Sequence, residues 1–125
     1  MSLERVYLIY PYAIYGTPLV ERFKDSLRGR YVLVDHLEVV GVGTEPWIAE
    51  RDMQLIDGCS RVVAFLPCEG LQSGWELCYA YTKGKKITIY IRESLVGPFI
   101  NWMKEKGVEV KTHAKLLRES TRSID

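Results

Sequence analysis

Several things are scarce in this 125-residue chain, and each scarcity narrows what it can be. No charge of one sign dominates: 17 Lys and Arg stand against 16 Asp and Glu. The chain therefore lacks the global field that draws a protein to a nucleic-acid polymer or an anionic membrane, and any anion it meets must be small and held locally. No apolar run approaches the ~18 residues of a membrane span, and no basic stretch followed by an apolar one opens the chain as a secretion signal would. Cys59, Cys68 and Cys78 form no CxxC pair, and an odd count at wide spacing fits neither a disulfide framework nor a zinc knuckle. They read as reduced thiols of a cytoplasmic protein, with Cys68 and Cys78 as small buried fillers. His36 and His113 are the only histidines, and neither has a metal-ligating neighbour at useful spacing, so no metal is expected. One Asn and two Gln leave few heat-labile amides, a composition met in heat-adapted proteins.

What is present is enough for one ordinary domain over residues 1–125, since 47% hydrophobic residues can bury a core without metal or disulfide support. Short apolar runs alternate with helical patterns. "VYLIY" (6–10), "YVLVDH" (31–36), "RVVAFLP" (61–67), "ITIYI" (87–91) and "VEV" (108–110) read as strands. Between them, "LVERFKDSL" puts Leu19, Val20, Phe23 and Leu27 on one helical face before Gly29, and "WIAERDMQLID" follows Pro46 in a helix first turn. Further helices are expected over the stretch that begins "LQSGWELCYAYT" at Leu71 and runs to about Thr82, closed by Gly84, over "GPFINWMKEKG", and over the terminal "KLLRES". The run at 61–67 has no polar alternation, which places it mid-sheet. The alternation predicts an α/β three-layer sandwich of Rossmann-like, flavodoxin-like type. Its parallel sheet should have about five strands in the order 2-1-3-4-5.

In that order the first and third strands are neighbours at the switch point, where ligands bind beyond the carboxyl ends. The loops arriving there carry Tyr10, Tyr12, Glu69, Gly70, Ser73, Gly74 and Trp75 as candidate substrate-binding residues. Glu76 lies on the helix leaving the second loop, and Asp52 on the helix entering the third strand, so two carboxylates from different elements can meet. A carboxylate pair beside aromatic walls is the equipment for nucleophilic displacement at a sugar anomeric carbon, with a flat base as leaving group.

The stretch "AERDMQLIDGCSRVVAFLPCEGLQSGWELCYAYTKGKKITIYI" (49–91), with "VYLIYPY" near the start, resembles the nucleoside 2-deoxyribosyltransferase family and its relatives that hydrolyse deoxynucleoside monophosphates. Its most specific part is "SGWELCYA" with an Asp upstream. The resemblance implies Glu76 as nucleophile, Asp52 as acidic partner near the sugar or leaving base, and Tyr7, or Tyr12 on another reading of the strand, as the hydroxyl that orients the nucleophile. It also implies a small-molecule nucleoside or nucleotide as partner, no cofactor, and a homo-oligomer, for which Trp102 is a candidate contact. Two positions depart from the family. Where the transferases carry an Asp six residues before the nucleophile, this chain has Gly70, with Glu69 beside it. The Arg of the hydrolases' first loop is missing from "YPYAIYGTP".

Plainer readings stand beside these. Ser73-Gly74-Trp75-Glu76 is also an S-x-x-E capping box, in which both side chains satisfy free backbone donors. Asp52 beside Arg51 can be a solvated helix residue, and Gly70 and Gly74 can serve the tight strand-to-helix turn. The same fold can serve a nucleotide-binding or sensor module without chemistry. A hydrolase of another N-glycoside is a third reading.

Overall fold

The apolar runs form β1 (Glu4–Ile9), β2 (Tyr31–Asp35), β3 (Arg61–Leu66), β4 (Lys86–Ile91) and β5 (Glu109–Lys111) in a computed structural model that describes residues 3–41 and 43–117. Every pairing is parallel and the order is β2-β1-β3-β4-β5, the flavodoxin-like arrangement expected from the alternation. The connections carry α1 (Pro18–Leu27), α2 (His36–Val39), α3 (Trp47–Asp57), α4 (Leu71–Thr82) and α5 (Pro98–Glu105).

Side chains alternate across the sheet with the strand period of two. On one face Tyr7 and Ile9 of β1 and Val62, Ala64 and Leu66 of β3 pack with Ile56 of α3, Leu77 and Ala80 of α4 and Met103 of α5. On the other, Val6 and Leu8 with Val63 and Phe65 meet Leu19, Val20, Phe23 and Leu27 of α1. The expected apolar face of α1 is thus the one that is buried, Thr17 caps its start by accepting from the Val20 amide, and Gly29 at φ +89° follows its end. β3 is buried from Val62 to Leu66, as a central strand must be.

Some boundaries differ from expectation. β2 ends one residue early because the Asp35 carboxylate accepts from the Leu37 amide at 3.0 Å, which starts the short α2. The last strand is Glu109–Lys111, one residue late. Of the helix expected over 115–120, residues 115–117 are helical and the rest lie outside the described residues. Cys59 is buried and Cys68 half-buried, but Cys78 is exposed, so it is not a core filler. Among the described residues no helix is long and apolar enough to cross a membrane.

One charged group is buried under α1. Lys24, 3% exposed, meets Asp35 Oδ2 at 2.5 Å and Glu38 at 2.8 Å, while the Tyr10 hydroxyl donates to the same Asp35 oxygen at 2.7 Å. Asp35 therefore ties the end of β1, the end of β2 and the start of α2 to α1. Removing one partner of such a pair strands the other charge in a low-dielectric interior, at a cost of ~3–5 kcal/mol. Lys24→Met is expected to lower unfolding stability by about 3 kcal/mol in urea titrations. The double variant Lys24→Met/Asp35→Leu is expected to recover much of that loss; equal stability of Lys24→Met and the parent would refute the account.

Candidate active site

At the carboxyl ends of β1 and β3 the chain leaves toward opposite faces of the sheet, and the two departing loops leave a crevice of about 750 Å³ between them. Tyr10 and Tyr12 line it from the first loop, Glu69, Gly70 and Ser73 from the third, and Asp52, Trp75 and Glu76 from the helices. Gly74 does not reach it and instead borders a separate apolar groove with Leu77, Phe99 and Ile100. Tyr7 lies beneath the floor, fully buried.

Glu76 is inside because of where α4 starts. The helix begins at Leu71 with Gly70 as N-cap and no side-chain cap, so Ser73 sits in its first turn and Glu76 in its second. The capping box expected of "SGWE" is not formed. Ser73, Glu76, Leu77 and Ala80 instead make the buried stripe that faces the sheet, at the three-and-four spacing of an amphipathic helix. A carboxylate on that stripe needs a partner, and β1 supplies it: the Tyr7 hydroxyl donates to Glu76 Oε2 at 2.5 Å. Tyr12, the alternative for this role, is 62% exposed at the rim, where its ring stacks on Tyr15.

Asp52 is not a solvated helix residue. It shares the buried side of α3 with Ile56, at 4% exposure, and its Oδ2 lies 3.2 Å from His36 Nδ1. His36 opens α2 immediately after β2, and its ring stands 5.7 Å from that of Tyr7. The expectation that His36 has no metal-ligating neighbour is thereby corrected: suitable atoms of His36, Asp52 and Glu76, from three helices, lie within 4.8 Å of one another. These are the three side chains that could hold a cation, and equally the three that could move protons. Within the described residues His36 Nε2 and Asp52 Oδ1 are buried without a hydrogen-bond partner, as groups awaiting a ligand or water are. The signal for His36 was its place at the carboxyl end of the strand next to β1.

The electrostatics follow from this enclosure. Burial pushes the Glu76 carboxyl up to about 7, and Asp52 adds to the rise, while a charged His36 and the Tyr7 hydrogen bond pull it down. For His36, burial opposes the charge, but the Asp52 hydrogen bond and the negative charge of Glu76, Asp52 and Asp35 outweigh it, leaving its pKa above the ordinary value. Burial, then the nearby Glu76 charge, hold Tyr7 far above the ordinary phenol range, so it is a neutral donor.

Gly70 has an extended φ of −142°, so the turn does not demand glycine. Close approach does: a Cβ there would stand 3.0 Å from Ser73 Oγ and 3.1 Å from Pro11 Cβ. Gly74 would meet nothing. A side chain at Gly70 therefore requires Ser73 or the first loop to give by a few tenths of an ångström.

No protein-family model matches the chain, and no curated protein sequence does. Its fold, however, matches solved structures. The CMP N-glycosidase of Clostridium botulinum superposes with a TM-score of 0.65 at 19% identity, over 94% of this chain and 98% of that one. A 2-deoxyribosyltransferase from Leishmania mexicana gives 0.56 at 18% identity, over 91% and 76%. A conserved protein from Enterococcus faecalis gives 0.56 at 19%, over 85% and 74%. The chain thus has the fold of proteins that include an N-glycosidase and a deoxyribosyltransferase.

Proposed function

We propose that the protein cleaves or transfers at the N-glycosidic bond of a 2'-deoxynucleoside or its monophosphate, as a member of the nucleoside 2-deoxyribosyltransferase-like family. The observation that carries this reading is the buried Glu76 carboxylate, held by Tyr7 at 2.5 Å and facing the same crevice as Asp52 and His36. The likeness in fold to an N-glycosidase and a deoxyribosyltransferase supports it.

In the proposed reaction a Glu76 oxygen attacks the anomeric carbon as the bond to the base breaks, giving a glycosyl ester. Tyr7 holds the other oxygen and stays protonated throughout. The leaving base takes its proton from His36 Nε2, whose ring Asp52 keeps oriented through Nδ1. Water, or a second base, then attacks the same carbon, returns a proton to His36 and frees Glu76. Tyr12 and Trp75 give the base aromatic walls, Tyr10, buried and bound to Asp35, braces the crevice from behind, and Ser73 and Glu69 give polar contacts. No step calls for a cofactor. Homo-oligomeric assembly belongs to the same proposal; Trp102, packed on Tyr81 at 5.1 Å, remains 43% exposed.

Three outcomes are expected. With deoxynucleosides and their monophosphates, with and without an acceptor base, chromatography should find free base or exchanged nucleoside, and Glu76→Ala should lower that turnover at least ~10³-fold. Full turnover by the variant would sink the mechanism; binding without any product would favour a sensor module.

The pH profile of kcat/KM should be a bell, because Glu76 must be ionised and His36 protonated. Activity should fall as pH drops below about 7, where Glu76 takes a proton. His36→Ala should abolish the alkaline limb and move the acid limb upward, since a positive charge that lowers the Glu76 pKa is lost. An unmoved profile would exclude His36.

Stability should respond in the opposite sense to activity. Glu76 binds its proton more tightly folded, at about 7, than at its ordinary 4.5, so folding stability declines as pH rises through that window. At 1.36 kcal/mol per unit, Glu76→Gln is expected to gain about 3 kcal/mol at pH 8 and nothing near pH 4. Denaturant melts at the two pH values check this, and an equal effect at both would refute it.

A further inference from the structure

Acidic side chains line the crevice at both depths, and His36 alone opposes them. Asp52 and Glu76 are buried at its floor, and Glu45 and Glu69 are exposed at its rim. Among the described lining residues there is no lysine and no arginine, and His36 is the one basic side chain. Lys24 comes within 5.7 Å of the Tyr10 ring but is engaged by Asp35 and Glu38. Arg22 lines a different cleft with Cys68, and the charge of Arg92 acts on that same thiol. Cys68 does not line the crevice. The guanidinium groups at this end of the sheet are thus gathered elsewhere.

A phosphate monoester carries between one and two negative charges at neutral pH and is ordinarily met by an arginine fork, a lysine, or an unopposed helix start. The start of α4 borders the crevice, but Glu69, immediately before its N-cap Gly70, lines it too and brings a negative charge to the same end of the helix. The remaining polar groups of the lining are neutral: the hydroxyls of Tyr12, Thr44 and Ser73 and the amide of Gln72, which suit sugar hydroxyls rather than a dianion.

We infer that the crevice takes an uncharged N-nucleoside and discriminates against the corresponding 5'-monophosphate. This rests on the N-glycoside reading of the site and narrows it to one substrate class. The repulsion involves exposed rim charges as well as buried ones, so salt weakens it.

Calorimetry on Glu76→Gln, which keeps an acceptor for Tyr7 and prevents turnover, gives the test. The probes are the four 2'-deoxynucleosides, the four ribonucleosides and the 5'-monophosphate of each. For the base bound best, the nucleoside should bind at least ~10-fold more tightly than its monophosphate at 50 mM salt. The gap should narrow at 500 mM salt, and again in the added double variant Glu45→Lys/Glu69→Lys, whose changes lie on exposed residues. A monophosphate bound equally or more tightly overturns the inference, and so does the absence of binding by any probe at millimolar concentration. Product formation by the unsubstituted protein is read separately. Nucleoside binding with the expected preference but no product would leave the substrate class standing and overturn the catalytic reading alone.

Discussion

A hydroxyl and a carboxylate 2.5 Å apart, Tyr7 and Glu76, join the first strand to the fourth helix in a place where neither could be left alone. A glutamate on the sheet-facing stripe of α4 would otherwise be an error in an apolar layer that includes Leu77, Ala80 and Ile56. The phenol makes it tolerable but does not make it comfortable, and the residual discomfort appears as a proton affinity near neutrality. The remaining polar groups of the site are arranged around that point. Asp52 and His36 reach it from α3 and α2, and each keeps one buried atom without a partner in the described structure.

The two faces of the sheet solve the same problem twice. Tyr7 points to the α3–α4 side and holds Glu76, while Tyr10, three residues on, points to the α1 side and holds Asp35. Asp35 also starts α2 and binds buried Lys24, so the helix that carries His36 is anchored to the opposite layer. The crevice is therefore framed by two tyrosine–carboxylate bonds, one from β1 and one from the residue that follows it, which ties the placement of the proposed proton donor to that of the proposed nucleophile.

The architecture was readable because strand and helix periods alternate cleanly in the sequence, and the strand order followed from it. The pairing of Tyr7 with Glu76 came from the family resemblance, which left Tyr12 as an alternative until the hydrogen bond decided between them. The start of α4 had two readings. "SGWE" satisfies a capping rule locally, and only the packing of Leu77 and Ala80 on the sheet decides that the helix begins three residues earlier, at Leu71. His36 was hidden for a different reason. Spacing rules look for ligands close in sequence, whereas its partners come from other helices and meet it through the crossovers. The role of Gly70 was invisible too, since its φ is ordinary and its constraint comes from Pro11 in a distant loop.

That last contact couples two loops that are far apart in the chain. With Pro11 and Ser73 both near 3 Å from where a side chain would begin, any side chain at residue 70 asks one of them to yield by a few tenths of an ångström. Whether the position tolerates a new group is therefore decided as much by the give of the first loop as by the group itself, and changes at residues 11 and 70 are expected to act together rather than add.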